Sequence, residues 1–269
     1  MAIARYDGGP GTDYGKEVRT GSLGLVAAFQ FLTIVPLRRQ VTARDMGRSL
    51  AFFPLVGLVI GGFLYGLDRL LELALPVALV NILLIIALVV VTRALHLDGF
   101  VDTCDGLAGG ASREARLEIM RDSRVGAFGV IGACCLILLQ YVALTVLPGE
   151  QRLAALVLMP AVARWTMVCA VFAFPYARRG AGLGSSFKEG AKWPALALAT
   201  AVTLGAGYGL LRLEGLAVVA AAWAISLALA AYLRSKLGGL TGDTYGAINE
   251  VVEVAVLILI PLVTWSYGI

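Results

Sequence analysis

The chain has 269 residues and a formal net charge of +4; 59% of its residues are hydrophobic, only 15% are charged, and the mean hydropathy is +0.85. Soluble domains carry charge on about a quarter of their residues, so this composition excludes a freely soluble fold. The small positive charge is unevenly placed and points to membrane topology and anionic-substrate binding; nucleic-acid binding has no support.

Residues 1–20 are polar and Gly-rich with no apolar core region, so a flexible N-terminal tail is expected and a cleavable signal peptide is not. Residues 21–37 form an apolar stretch closed by Pro36, then Arg38 and Arg39, and read as an interfacial or half-inserted helix. A membrane-crossing helix needs about 20 apolar residues. Runs of that kind are expected at 50–73, 75–95, 126–147, 153–174, 194–212, 213–233 and 247–267. The fold class is therefore all-α, a polytopic membrane protein in which 21–269 is one transmembrane domain.

Lys and Arg accumulate in cytoplasmic loops. With the N-terminus inside, seventeen of the 22 basic residues fall on the cytoplasmic side, while only Arg69, Arg152 and Arg212 fall on the far side. This places the loops 96–125, 175–193 and 234–246, and the N-terminus, in the cytoplasm. Small residues at Gly57, Gly61, Gly62 and Gly66 have helix-packing spacing and suggest close contacts within the chain or in a homo-oligomer. None of the four cysteines lies in a CxxC pair, and they read as buried thiols.

The loop after the second span carries Asp98, Asp102 and Asp105, which share one face if the segment is helical and unbroken at Gly99 and Gly106. Like charges at that spacing repel unless a cation lies between them. Hard oxygen donors, few in number, suit Mg²⁺ or Mn²⁺ completed by substrate phosphates. Downstream, Arg113, Arg116, Arg121 and Arg124 have the chemistry to clamp phosphate oxygens, with Glu118 and Asp122 between them. Headgroup anchoring of the next span is the plainer role for Arg121 and Arg124. His96, the only histidine, fits a general base, a metal ligand, a carboxylate partner or a structural position at a span end. A basic loop containing Arg178 and Arg179 can close over a phosphate, or simply follow the positive-inside pattern. Asp243, Glu250 and Glu253 enter the last span, and Arg164 lies within the fourth. Charges at that depth line a cavity or pair, and Glu253 or Glu250 is the expected partner of Arg164.

The segment HLDGFVDTCDGLAGG, followed by REARLEIMRDSRVGAFGV, resembles the signature of the cobalamin synthase family, the adenosylcobinamide-GDP ribazoletransferases. FQFLTIVPL at 29–37, FFPLVG at 52–57, PYARRGAGLG at 175–184 and TGDTYGAINEVVE at 241–253 agree in order, so the resemblance spans nearly the whole chain. Val101 and Cys104 depart from the ADTADG that relatives often carry, and the loop around Arg179 to Ala181 is altered; every carboxylate is kept. The resemblance implies an Mg²⁺-requiring enzyme of the bacterial inner membrane. It would join adenosylcobinamide-GDP to α-ribazole, or its 5′-phosphate, releasing GMP, alongside other cobalamin-biosynthesis enzymes. On that basis Asp98, Asp102 and Asp105 hold the metal, and Arg113, Arg116, Arg121, Arg124 and Arg178 bind phosphate oxygens. Asp122, Asp243 or His96 takes the hydroxyl proton, Asp122 first for its nearness to the cluster.

Two rival classes are weaker. The CDP-alcohol phosphotransferase pattern requires Ala-Arg after Asp98-Gly99-Phe100-Val101, where this chain has Asp102-Thr103. A transporter would place its binding groups near the midplane and often shows inverted repeats, whereas these carboxylates crowd one edge.

Overall fold

A computed structural model describes residues 13–37, 39–178 and 183–265, and among them the chain is helical with no strand longer than one bridge. The helices are α1 Asp13–Leu32, α2 Ala43–Ser49, α3 Phe53–Leu71, α4 Val77–Val91, α5 Leu95–Gly109 and α6 Arg113–Ile119, then α7 Ala127–Val146, α8 Arg152–Ala173, α9 Leu183–Gly190, α10 Trp193–Leu237 and α11 Gly242–Trp265. Helix α1 begins inside the expected tail of 1–20, so the part of it from Asp13 is helical; residues 1–12 lie outside the described residues.

Among the described residues five helices are long and apolar enough to cross a membrane, and α4 passes the same test only when joined to α5, from which it is bent by 90°. The 45 residues of α10 are far more than one crossing needs. They divide at Arg212, whose φ of 52° and ψ of −131° leave the helical region. Gly215 and Gly207 then touch backbone to backbone, a contact no straight helix makes across eight residues, so α10 is a hairpin. Among the described residues the two apolar runs expected on either side of Arg212 are thus two separate arms.

Helix α8 is the central post, buried along nearly its whole length. Gly57 and Gly61 of α3 press on the α8 backbone at Pro160–Ala161 and Leu156–Val157, whereas Gly62 and Gly66 meet nothing within 4 Å. Only half of the expected glycine pattern therefore serves packing within the chain. Arg164, fully buried in α8, donates to Glu253 Oε1 of α11 at 2.8 Å, and Asn249 donates to the same oxygen at 3.0 Å. Of the two expected partners it is Glu253 that takes the arginine.

At one end of the bundle, the far face, Arg152 bonds to Asp68 and donates to Asn81 at 3.0 Å, joining α3, α4 and α8. At the other end lie α1, α2, α5, α6, α9 and the segments joining them. Helix α1 packs on α2 and the start of α3: a Cβ at Gly24 would lie 3.2 Å from Phe52 and 3.3 Å from Arg48.

Candidate active site

The site is built where α4 ends. Arg93 and Ala94 adopt φ of 55° and 54°, a left-handed pair that turns the chain through the 90° between α4 and α5. Helix α5 therefore lies across the end of the bundle, outside the crossing segments, and it runs unbroken through Gly99 and Gly106. Those glycines serve close approach. A Cβ at Gly99 would lie 2.8 Å from the Asp243 carbonyl oxygen, and one at Gly246 2.8 Å from the His96 carbonyl oxygen, so α5 and α11 meet backbone to backbone.

A second seam brings in the arginine loop. Leu240 donates to the Pro175 carbonyl and Ala177 donates to the Leu240 carbonyl, both at 2.8 Å, and Tyr176 and Leu240 form a parallel bridge. This fixes Arg178, whose Nη2 donates to Asp243 Oδ2 at 2.6 Å. Lys188 of α9 donates to two of the last carbonyls of α8, Val171 at 2.7 Å and Phe172 at 3.2 Å, adding to the Phe174 amide that caps Ala170.

The result is a cavity of about 430 Å³. Asp98, Arg121, Tyr176, Arg178 and Asp243 form its polar wall, and Phe31, Phe53, Met167 and Phe187 its apolar one. Asp102 stands beside it. Burial first, and then the charges of Asp98 and Asp243, raise the Asp102 carboxyl to about 6. His96 lines the cavity and is 2% exposed. Burial, with the charge of Arg164 second, holds its imidazole well below the usual range and hence neutral.

The sequence candidates divide accordingly. Asp98, Arg121, Arg178, Asp243 and His96 come together around the cavity. Asp105 has a different partner set: its two oxygens accept the Gly126 and Gly129 amides at 2.7 and 2.8 Å, anchoring the N-terminus of α7. Arg113 donates to the Ala177 carbonyl at 3.2 Å and Arg116 to the Lys236 carbonyl at 3.3 Å, so both tie site segments together. Asp122, the expected first choice as base, is not on the cavity wall. It sits in an exposed ion pair with Arg124 at 2.6 Å, and that guanidinium lowers its carboxyl to about 2, unsuited to taking a proton. Glu250 and Glu253 lie deeper in α11 with Arg164. Arg179 falls outside the described residues.

Among the described residues no three His, Cys, Asp or Glu side chains converge closely enough to hold a metal ion alone. Mg²⁺ does not require three: it keeps several waters and takes one or two carboxylates plus substrate phosphates. Asp98 and Asp102, four residues apart on one helix face, fit that demand, and burial of Asp102, with the neighbouring charges of Asp98 and Asp243 second, raises its carboxyl.

Comparison with known proteins decides the family. The family model for cobalamin-5-phosphate synthase matches residues 24–261. The chain belongs to the cobalamin-5-phosphate synthase family. It is 43% identical over 232 residues to the adenosylcobinamide-GDP ribazoletransferase of Geotalea daltonii, covering 86% of this chain and 93% of that one. The ribazoletransferases of Desulforamulus reducens and Syntrophobacter fumaroxidans are 37% and 39% identical, covering 87% and 86% of this chain and 94% of each. No solved structure matches the chain. Within this synthase-family fold, sequence reasoning missed Tyr176 and Tyr245 as cavity residues and the α5–α11 seam. The only advance signal for the seam was Gly99 and Gly246 beside charged motifs.

Proposed function

We propose that the chain joins adenosylcobinamide-GDP to α-ribazole or its 5′-phosphate, giving adenosylcobalamin or its 5′-phosphate and GMP. The observation that carries this reading is the polar wall on which Asp98, Arg121, Arg178 and Asp243, from four separate segments, face one cavity in a chain of this family. A ribose hydroxyl of the ribazole attacks the phosphorus nearer the cobinamide, a new P–O bond forms, and the bridging bond to GMP breaks. Arg178 and Arg121 bind non-bridging oxygens, where their fixed charge meets the charge developing in the transition state. Asp243, on the cavity wall, receives the hydroxyl proton. When bound at Asp98 and Asp102, Mg²⁺ would offset charge on the diphosphate.

The same reading puts the site face on the cytoplasmic side of a bacterial inner membrane, because the basic residues gather there while Arg69, Arg152 and Arg212 lie toward the far face. The donor is a large amphiphile, so its corrinoid part remains at the interface. The test is GMP release by the purified protein in liposomes, with and without Mg²⁺, beside Asp98→Asn. Release that needs Mg²⁺ and is lost in the variant is the expected result; no release with either ribazole form overturns the assignment.

A further inference from the structure

The apolar wall of the cavity has no part in the phosphate chemistry. Phe31, Phe53 and Phe187 come from α1, α3 and α9 and form one aromatic cluster, with ring centroids 5.0 to 6.0 Å apart. Phe53 and Phe187 are 2% and 4% exposed, yet both border the cavity. Two further lining residues, His96 of α5 and Tyr245 of α11, are 2% and 3% exposed. Among the described residues His96 Nε2 and the Tyr245 hydroxyl have no hydrogen-bond partner. A buried polar atom without a partner is destabilising, so the Tyr245 hydroxyl marks a place prepared for a ligand that brings an acceptor.

Three groups on the substrates compete for that place. The corrin macrocycle with its side chains is too large for about 430 Å³. Guanine has donors and acceptors on several edges and would need more polar partners than two. A benzimidazole is flat and apolar along most of its rim, with one free ring nitrogen that accepts a single hydrogen bond. We propose that the aromatic wall seats the base of the acceptor nucleoside, with the Tyr245 hydroxyl donating to its free ring nitrogen. The ribose then lies toward Asp243 and Asp98, where its hydroxyl is needed. This rests on the ribazoletransferase reading above.

The experiment is steady-state GMP release with α-ribazole and with the matching indole riboside, which lacks the ring nitrogen, for the wild type and Tyr245→Phe. The wild type should show a KM for the indole riboside about tenfold above that for α-ribazole, the worth of about one hydrogen bond. Tyr245→Phe should raise the α-ribazole KM by a similar factor, barely distinguish the two nucleosides, and leave the KM for adenosylcobinamide-GDP unchanged. Phe187→Leu, which keeps an apolar side chain, should likewise raise only the nucleoside KM. If transfer proceeds but Tyr245→Phe still discriminates between the nucleosides, or raises only the donor KM, this assignment is wrong while the activity stands. If the wild type releases no GMP with either nucleoside, both readings fall.

Discussion

Arg178 and Asp243 meet at 2.6 Å across the seam between the segment after α8 and the start of α11. Neither side chain is fully exposed or fully buried, at 19% and 22%, so the pair is both held by the fold and open to a substrate. In the proposed reaction the arginine serves two anions in turn, the carboxylate and a phosphate oxygen.

Replacing that arginine tests its second task. Arg178→Ala should lower kcat/KM for GMP release by about 10²- to 10³-fold, the usual cost of losing one transition-state donor. Arg178→Lys should recover only part, because an ammonium lacks the planar fork. An unchanged kcat/KM in both variants would confine Arg178 to a structural role.

The pH dependence follows from Asp102. Its carboxyl titrates near 6, so it is protonated below that pH and charged above it. A cation needs the charged form and must displace the proton at lower pH. At subsaturating Mg²⁺, activity should rise between about pH 5 and pH 7, and the Mg²⁺ midpoint should fall as pH rises; saturating Mg²⁺ should move the inflection to lower pH. A Mg²⁺ midpoint independent of pH would remove Asp102 from the metal site.

Asp105 separates anchoring from metal binding. Asp105→Ala leaves the amides of Gly126 and Gly129 without their acceptor. The expected loss is about 1–2 kcal/mol of stability, as for a removed helix cap, seen as a lower unfolding temperature. In the variant that remains folded, the Mg²⁺ midpoint should not move. A large shift in that midpoint with unchanged stability would reverse the assignment.

The Arg164–Glu253 pair is buried on both sides. Glu253→Ala should cost about 3–5 kcal/mol, because it strands a buried guanidinium. Adding Arg164→Met should restore part of the loss. A double variant no more stable than Glu253→Ala would show that the two side chains do not act as a pair.

How much of this was legible in the sequence differs by feature. The all-α membrane architecture was, since each crossing helix needs an apolar run of membrane length, and Arg212 between two such runs marked the hairpin. The direction of α5 was not: its right-angle turn depends on left-handed φ values at Arg93 and Ala94, residue types that give no turn signal. The carboxylates and arginines were visible as motifs, but their assembly was not. Asp122 is close to the acidic cluster in sequence and stands on the exposed rim, whereas Asp243, well over a hundred residues away, reaches the cavity because Leu240 pairs with the segment after α8. Asp105 looked equivalent to Asp98 and Asp102; only the position of the α7 N-terminus, brought back onto it from 21 residues further on, distinguishes it.

The backbone contact between α5 and α11 bears on how the two substrates are aligned. Gly99 against Asp243 and Gly246 against His96 leave no side chain in between, so no rotamer change can loosen the register of the reacting groups. Asp98 on one helix and Asp243 on the other are spaced by main chain, and that spacing is set once, when the protein folds. The charges are therefore already in position before a substrate binds. A single methyl group added at Gly99 would prise the two carboxylates apart before any substrate arrived.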